Sequence, residues 1–169
     1  GGAGGSILIE ASLVSGAGSI LADGGNGGSG NHCPSSWCGF GGGGGGGRIA
    51  LYYNESTFTG PIRAAGGASY VALSGLPLAD AYSSQNSPTG GGGAGTLYTV
   101  KTGNAGVLTI DGNEILADYH TQITSAYPHM LVTRRGRARL KADEQAVPSN
   151  PLWGSINVIA GGDLQLDVS

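Results

Sequence analysis

The feature that most constrains this chain is a motif that occurs twice at a fixed spacing. The residues Gly-Gly-Ser-Ile-Leu-Ile at 4–9 correspond to Gly-Gly-Arg-Ile-Ala-Leu at 46–51, an offset of 42 positions. The same offset aligns the segments 19–25 and 61–67 without a gap, and a weaker third copy occupies 93–112. Self-similarity at such a period is typical of stacked supersecondary units, none of which buries its apolar face alone. We therefore expect a repeat-built fold that presents surfaces rather than a pocket.

Composition supports an ordered chain with few charges. Glycine accounts for 35 of the 169 residues and charged residues for 11%, against about 25% in ordinary soluble domains. Ile, Val and Leu are concentrated in short runs, which favours an ordered β architecture over disorder. The formal net charge of −3 and the lack of a long apolar stretch predict neither a nucleic-acid partner nor membrane insertion. The chain does not begin with methionine, and we interpret it as a processed protein or part of a longer one.

The apolar runs have the length and borders of β-strands. They contain β-branched or aromatic residues and end at Gly, Asn, Asp or Ser. Within each copy two strands begin 13 positions apart, which leaves room for a strand, a corner and a second strand. Propeller blades need four strands in about 40–45 residues, whereas much of each repeat here is glycine. The pattern therefore predicts an all-β fold of the β-helix (solenoid) kind. The residues predicted to point inward are Ile7, Ile9, Ile20, Ile49, Leu51 and Ile62.

The glycine tract at 41–47, with a smaller one at 90–93, allows two interpretations. Free glycine linkers are flexible coils. Alternatively, the tracts run extended in a polyproline II-like form, packed against a neighbouring segment. Because glycine has no Cβ, it permits a close approach of two backbones. The packed form is favoured, and the disordered loop stays open as the alternative.

The order of these motifs resembles that of a known class of repeats. Gly-Gly-Ser-Ile-Leu-Ile, then Ala-Asp-Gly-Gly-Asn-Gly-Gly, then a glycine run into Gly-Arg-Ile-Ala-Leu-Tyr-Tyr is similar to the glycine-rich β-helix repeats of very large bacterial and protist surface proteins, including mastigoneme-like and adhesin-like ones. The resemblance covers residues 1–112. It implies a right-handed parallel β-helix with glycine-rich extended loops, exported, elongated and non-enzymatic. We accordingly predict repeats over 1–112 and continuing, more divergent β-helix strands over 113–169.

Two features favour an extracellular or cell-surface setting. Cys33 and Cys38 lie in Cys-Pro-Ser-Ser-Trp-Cys and predict a disulfide that fixes a local turn, although free thiols or a zinc site with His32 remain alternatives. The triplet that begins at Asn54 is an N-glycosylation sequon directly after an apolar run, where a turn would expose it. Such triplets also occur by chance. Disulfides and N-glycans both belong to oxidising compartments.

One basic segment is a candidate contact surface. Between residues 133 and 142, four cations fall on alternate positions, so that a strand would array them on one face. This array is predicted to contact an acidic face of a neighbouring subunit or an anionic glycan; the alternative is a solvated outer face. The four residues are Arg135, Arg137, Arg139 and Lys141.

No residues form a convincing catalytic or metal-binding set. The acidic group Asp111, Glu114 and Asp118 lacks the ligand spacing of a calcium loop, and an ordinary Asp-Gly turn is favoured. His120 and His129 are nine positions apart, which is neither a metal nor a triad spacing. We therefore predict no catalytic residue, metal or cofactor.

Together, these patterns predict a structural module rather than an enzyme. Its function would be that of a part of an extracellular fibre, filament or surface appendage that self-associates by stacking. Its partners would be copies of itself or adjacent repeats of a longer chain. The alternative is a glycan- or surface-binding adhesin module, and a β-helix polysaccharide lyase or hydrolase is a distant alternative.

Overall fold

The computed structural model describes residues 1–28, 41–69, 90–115, 117, 119–125, 127–141 and 154–167. Over these ranges the chain forms eleven strands and no helix. The predicted Cys33–Cys38 disulfide lies outside the described residues. The strands are β1 (Ser6–Gly16), β2 (Ile20–Leu21), β3 (Arg48–Phe58), β4 (Ile62–Arg63), β5 (Thr96–Lys101), β6 (Val107–Asp111), β7 (Thr121–Ile123), β8 (His129–Thr133), β9 (Arg137–Lys141), β10 (Ser155–Val158) and β11 (Asp163–Asp167).

The strands form one large sheet and two small ones. The large sheet has six strands in the order β1-β3-β5-β6-β8-β10. A three-stranded sheet has the order β11-β9-β7, and β2 pairs with β4. Neighbouring strands in these sheets are parallel, with the exception of the antiparallel pair β5–β6.

The 42-residue sequence repeat is also a repeat in the structure. Ile7 of β1 lies opposite Ile49 of β3, and Ile20 of β2 lies opposite Ile62 of β4. Both pairs keep the offset of 42. Equivalent residues therefore stack on one another, which places isoleucine on isoleucine in both layers.

Two apolar cores lie on opposite faces of the large sheet. The first contains Ile49, 2% exposed, packed with Leu97 of β5 and with residues of β2 and β4. The second contains Leu108, 1% exposed, which lies between the large sheet and the β7-β9-β11 sheet and packs with Tyr98. Leu97 and Tyr98 are successive residues of β5, so their side chains point to opposite faces. Strand β5 therefore contributes to both cores, and the side of the large sheet that is covered by a core changes at this strand.

The prediction of a right-handed parallel β-helix is wrong. A solenoid encloses one continuous core, whereas here the cores change faces and β6 runs antiparallel to β5. The chain reverses at the short turn after β5, where Gly103 has φ +82° and the Asn104 N–H donates to the Lys101 carbonyl at 2.9 Å. This turn closes a hairpin. The second part of the third sequence copy consequently forms β6 in the large sheet and does not continue the β2–β4 pair.

The predicted inward positions nevertheless face the interior. Ile49 and Leu51 are each 2% exposed. The isoleucines Ile7, Ile20 and Ile62 are half-buried and pack against the first core. Ile9 is half-buried as well. The 42-residue alignment thus identified the buried face of this half of the molecule.

The glycine-rich segments form a hydrogen-bonded bundle of two layers. Segments 1–5, 41–47 and 90–95, which lead into β1, β3 and β5, make one layer, and segments 22–27 and 64–69 make the other. Neighbours within a layer run parallel, and the two layers are antiparallel to each other. A relay of N–H···O=C bonds of 2.8–2.9 Å crosses between the layers and joins Gly92, Gly67, Gly44, Gly25 and Gly2 in that order.

These bonds recur every three residues along a segment. Gly43 and Gly46 donate to the segment 90–95, while Gly44 and Gly47 donate to the segment 22–27. A three-residue period is that of the polyproline II conformation, which makes no hydrogen bonds within its own segment. Of the two interpretations of the tract 41–47, the structure therefore shows the packed one.

Candidate binding surfaces

The predicted basic array is only partly a strand face. Arg137 and Arg139 lie on alternate positions of β9, with the fully buried Ala138 between them, and Lys141 is the last residue of that strand. Arg135 is not in the strand. It lies in a two-residue corner with Arg134, where both residues have positive φ, so the alternation seen in the sequence does not extend to it.

Two of these arginines have acidic partners within the chain. Arg137 donates from Nε to Asp163 Oδ2 at 3.2 Å and from Nη1 to the Ala117 carbonyl at 2.8 Å. Arg135 Nε lies 3.6 Å from Glu114 Oε2. These contacts join strands and corners of one molecule. The geometry therefore gives little support to an array reserved for an anionic glycan or an acidic neighbour.

Asp163 also contacts a histidine side chain. Its Oδ2 lies 3.1 Å from His120 Nε2, so His120 and Arg137 share one carboxylate oxygen. Burial raises the pKa of the Asp163 carboxyl, but the hydrogen bonds and charges of His120 and Arg137 lower that pKa by more, and the net direction is downward. The cluster ties β9 to β11 beside the second core.

The acidic residues near position 111 bind the corner formed by Arg134 and Arg135. Asp111 accepts from Arg134 through both oxygens, with Nε at 2.9 Å from Oδ1, and Oδ1 also accepts the Asn113 N–H at 2.8 Å. Glu114 pairs with Arg135, and Asp118 lies outside the described residues. In the ranges the structure describes, no group of three or more His, Cys, Asp or Glu side chains could hold a metal ion.

His129 pairs with a serine that the sequence did not single out. His129 Nδ1 lies 2.9 Å from Ser155 Oγ, because the two residues are opposite each other in β8 and β10. A serine nucleophile needs a carboxylate or similar group to orient the histidine and donors for an oxyanion. Among the hydrogen bonds of the described residues, none joins this pair to a carboxylate. His129 and Ser155 therefore form a cross-strand contact between β8 and β10, not a catalytic pair.

The first surface is a sheet edge that has no partner strand among the described residues. β1 is an edge strand of the large sheet and is 11 residues long. Leu8 and Leu13 of this strand are 65% and 53% exposed. The Gly5 carbonyl accepts from Arg48 of β3. Since successive residues of a strand direct their backbone groups to opposite sides, Leu8 directs its N–H and C=O away from β3.

The second surface is the face of β1, β3 and β5 that lies opposite the first core. Tyr52 of β3 is 39% exposed there and makes an edge-to-face contact with Tyr98, with ring centroids 6.1 Å apart. Tyr98 contacts Tyr127 in the same manner at 5.2 Å. An aromatic row therefore leads from the second core to the exposed side chain of Tyr52.

An open depression lies beside Tyr52. It is lined by Glu10, Ser12, Tyr52, Asn54 and Thr102, among others. The Asn54 side-chain oxygen accepts a hydrogen bond from the Thr102 hydroxyl at 2.5 Å. Asn54 is exposed, but the predicted turn is wrong: Asn54 lies within β3 and points outward from the sheet.

The sequence contains a signal for this face. Ile49 and Leu51 occupy the buried parity of β3, so Tyr52 and Asn54, on the same side as Ala50, had to point the other way. Tyrosines in strands are more often core residues, and nothing in the sequence revealed that this face has no cover among the described segments.

No protein-family model matches the chain, and neither a curated protein nor a solved structure matches it. The similarity to glycine-rich repeats of surface proteins therefore stays a prediction. In the described ranges, no helix is long and apolar enough to cross a lipid bilayer.

Proposed function

We propose that this chain is a structural module of an extracellular fibre or surface appendage. It associates with copies of itself, or with adjacent repeats of a longer chain, along the edge formed by β1. The observation that carries the proposal is the 11-residue edge strand with its exposed leucines. Long apolar edges recruit further strands unless they are blunted by charge, proline or a cover.

The repeat gives this edge a known complement. β3 binds β1 on one side and β5 on the other, in parallel register on both. β1 and β3 share the pattern Gly-Gly-x-Ile at their beginnings. Because β1 and β3 share this pattern, the edge of β3 that binds β1 corresponds to the free edge of β1. A strand of an adjacent repeat in a longer chain would therefore fit the free edge of β1 in the same parallel register.

The glycine layer continues this edge. The Gly45 carbonyl accepts the Gly4 N–H at 2.9 Å, and the Gly93 carbonyl accepts the Gly46 N–H at 2.9 Å. The position equivalent to Gly45 in the first copy is Ala3, which is exposed. Among the backbone bonds of the described residues, none ends on the Ala3 carbonyl. Within the described part of the chain, β1 and the glycine segment before it thus have backbone acceptors along one line that no other segment uses.

A single proline tests the proposal. Leu8→Pro removes an N–H that points away from β3, and proline is tolerated on the solvent side of an edge strand. We expect the full chain to form filaments or oligomers that lengthen with concentration, measured by negative-stain microscopy and sedimentation velocity. In Leu8→Pro the concentration needed for association should rise about two- to tenfold, because one backbone hydrogen bond contributes about 0.5–1.5 kcal/mol.

The matched control is Leu8→Thr, which shortens the side chain but keeps the N–H. It should associate more readily than Leu8→Pro, while both variants keep the circular dichroism and melting temperature of the parent. A parent chain that stays monomeric at high concentration contradicts the proposal. So does a Leu8→Pro variant that is folded and associates as the parent does.

A further inference from the structure

We infer that the exposed face around Tyr52 is a binding site for an uncharged saccharide. The inference concerns a different surface from the β1 edge and does not depend on the proposed self-association. It rests on the arrangement of side chains across three parallel strands, β1, β3 and β5.

The site has an aromatic centre and a polar border. Tyr52 lies opposite Glu10 of β1 and opposite Val100 of β5. Ser12 and Asn54 follow two residues further along β1 and β3, Thr102 comes directly after β5, and all three line the same depression. Neighbouring strands are about 4.8 Å apart, so the three strands present a surface about 10 Å wide.

The centre of this surface is held in place. The Tyr52 ring makes an edge-to-face contact with Tyr98, which is half-buried and packs against the second core. Burial is the first cause that raises the pKa of the Tyr98 phenol, with Tyr52 and Tyr127 contributing in the same direction. An aromatic side chain fixed from below, with its outer part exposed, offers a platform at little cost in conformational entropy.

This chemistry complements a sugar ring. A pyranose has an apolar face of C–H groups, which suits the π-face of an aromatic ring, and a rim of hydroxyls, which suits carboxylate, amide and hydroxyl groups. Ligand sites commonly combine such an apolar floor with a few polar groups that fix orientation. Glu10 is the one charged residue among those that line the depression. Its carboxylate accepts from hydroxyls and repels sulfates and carboxylates, so the surface favours an uncharged saccharide.

The predicted sequon lies in the same depression. The Asn54 amide oxygen is engaged by Thr102, and the residue borders the Tyr52 platform. A glycan on Asn54 would occupy the surface itself. The chain for the binding test is therefore produced in full length in a bacterial host without N-glycosylation.

The test titrates this chain by calorimetry with hexasaccharides of glucose, N-acetylglucosamine and mannose, and with a sulfated hexasaccharide. At least one uncharged hexasaccharide should bind, and the sulfated one should bind at least tenfold more weakly. Tyr52→Ala should weaken binding at least tenfold, whereas Tyr52→Phe, which keeps the ring, should stay within about threefold of the parent.

Tyr119→Ala is the matched control, because Tyr119 is 74% exposed and does not line the depression. It should bind as the parent does. The inference is overturned if none of the three uncharged hexasaccharides binds at millimolar concentration. It is equally overturned if the sulfated compound binds best, or if Tyr119→Ala weakens binding as much as Tyr52→Ala. Sedimentation of Tyr52→Ala should match that of the parent, which separates this result from a failure of self-association.

Discussion

A single carboxylate joins the first two repeats. Asp23 accepts from Arg63 through both oxygens, with Nε at 2.9 Å from Oδ2, and its Oδ1 also accepts the Ala65 N–H at 2.8 Å. Ala65 is the position equivalent to Asp23 one repeat later. Burial raises the pKa of the Asp23 carboxyl, but the Arg63 and Ala65 hydrogen bonds lower it by more, and the net direction is downward.

This pair gives the protein a defined response to acid. A carboxyl with a lowered pKa in the folded state contributes stability above its unfolded-state pKa, about 3.9, and that contribution is lost as the pH falls through the folded-state pKa. The free energy of unfolding should therefore fall below pH 4. Asp23→Asn should flatten this fall, because the amide keeps the acceptor for Ala65 but carries no titrating charge.

The comparison needs a second variant and a control, all measured by urea unfolding between pH 7 and pH 2. Asp23→Ala should be less stable than Asp23→Asn at pH 7, since it also leaves the Ala65 N–H without its acceptor. Glu55→Gln, at an exposed position of β3, should leave the pH dependence unchanged. An Asp23→Asn variant with the acid response of the parent would show that other carboxyls govern it.

At the scale of elements, the glycine bundle depends on which side of each segment faces a neighbour. A Cβ on Gly44 would lie 2.0 Å from the Gly2 carbonyl oxygen, whereas the nearest atom to a Cβ on Gly45 is 3.9 Å away. Adjacent glycines of identical sequence context therefore differ completely in what they tolerate. Glycine is required at position 44 because two backbones approach closely there, and it is not required at position 45.

Alanine at these two positions tests the bundle. Gly44→Ala should lower the free energy of unfolding by about 1–3 kcal/mol or more, because the neighbouring backbone must move. Gly45→Ala should be neutral or stabilising by up to about 1 kcal/mol, since it restricts the unfolded chain without a clash. Urea midpoints measure both. Equal destabilisation by the two variants would contradict the packed arrangement.

At the scale of the whole molecule, the two cores are joined through one antiparallel ladder. Three residue pairs connect β5 to β6, from Leu97 and Thr109 to Thr99 and Val107. Ile110, fully buried, belongs to the second core, and Ile49 belongs to the first. Each core has its own sheet partner on its own face of the large sheet, so each half has much of its stability within itself.

Hydrogen exchange measures this division. Ile110→Ala should destabilise by about 2–5 kcal/mol, and the loss of amide protection should be concentrated in β6, β8 and β9, with less change in β1 and β3. Ile49→Ala should give the reverse distribution. A uniform loss across all strands in both variants would show that the molecule unfolds as one cooperative unit.

The sequence predicted the repeat better than it predicted the course of the chain. The register of Ile7 on Ile49 and the packing of the tract 41–47 both follow from the motif and from the lack of a Cβ. The hairpin at 102–106 did not follow, because Thr-Gly-Asn-Ala-Gly serves a solenoid corner as well as a hairpin. The hairpin, and not a solenoid corner, is selected by the pairing of β6 with β8, which joins residues that are distant in the sequence.

The candidate surfaces were harder to predict for a related reason. The alternation of four cations does not show where β9 begins, and the positive φ at Arg135 places that residue before the strand. The exposure of Tyr52 depends on the absence, among the described segments, of a layer over its face. A local pattern specifies which side of a strand a residue occupies, but the arrangement of distant segments specifies whether that side is covered.

The three-residue period of the glycine segments has a genetic consequence. Removal of one residue from 41–47 would rotate the remaining donors by about 120°, so that those now meeting 90–95 would face elsewhere. Removal or addition of three residues restores the same facing. We therefore expect a gene that encodes such a bundle to accept changes of length in this tract most readily in steps of three codons. Of the insertions and deletions that replication slippage produces in its glycine codons, those of three codons would be retained more often than those of one or two.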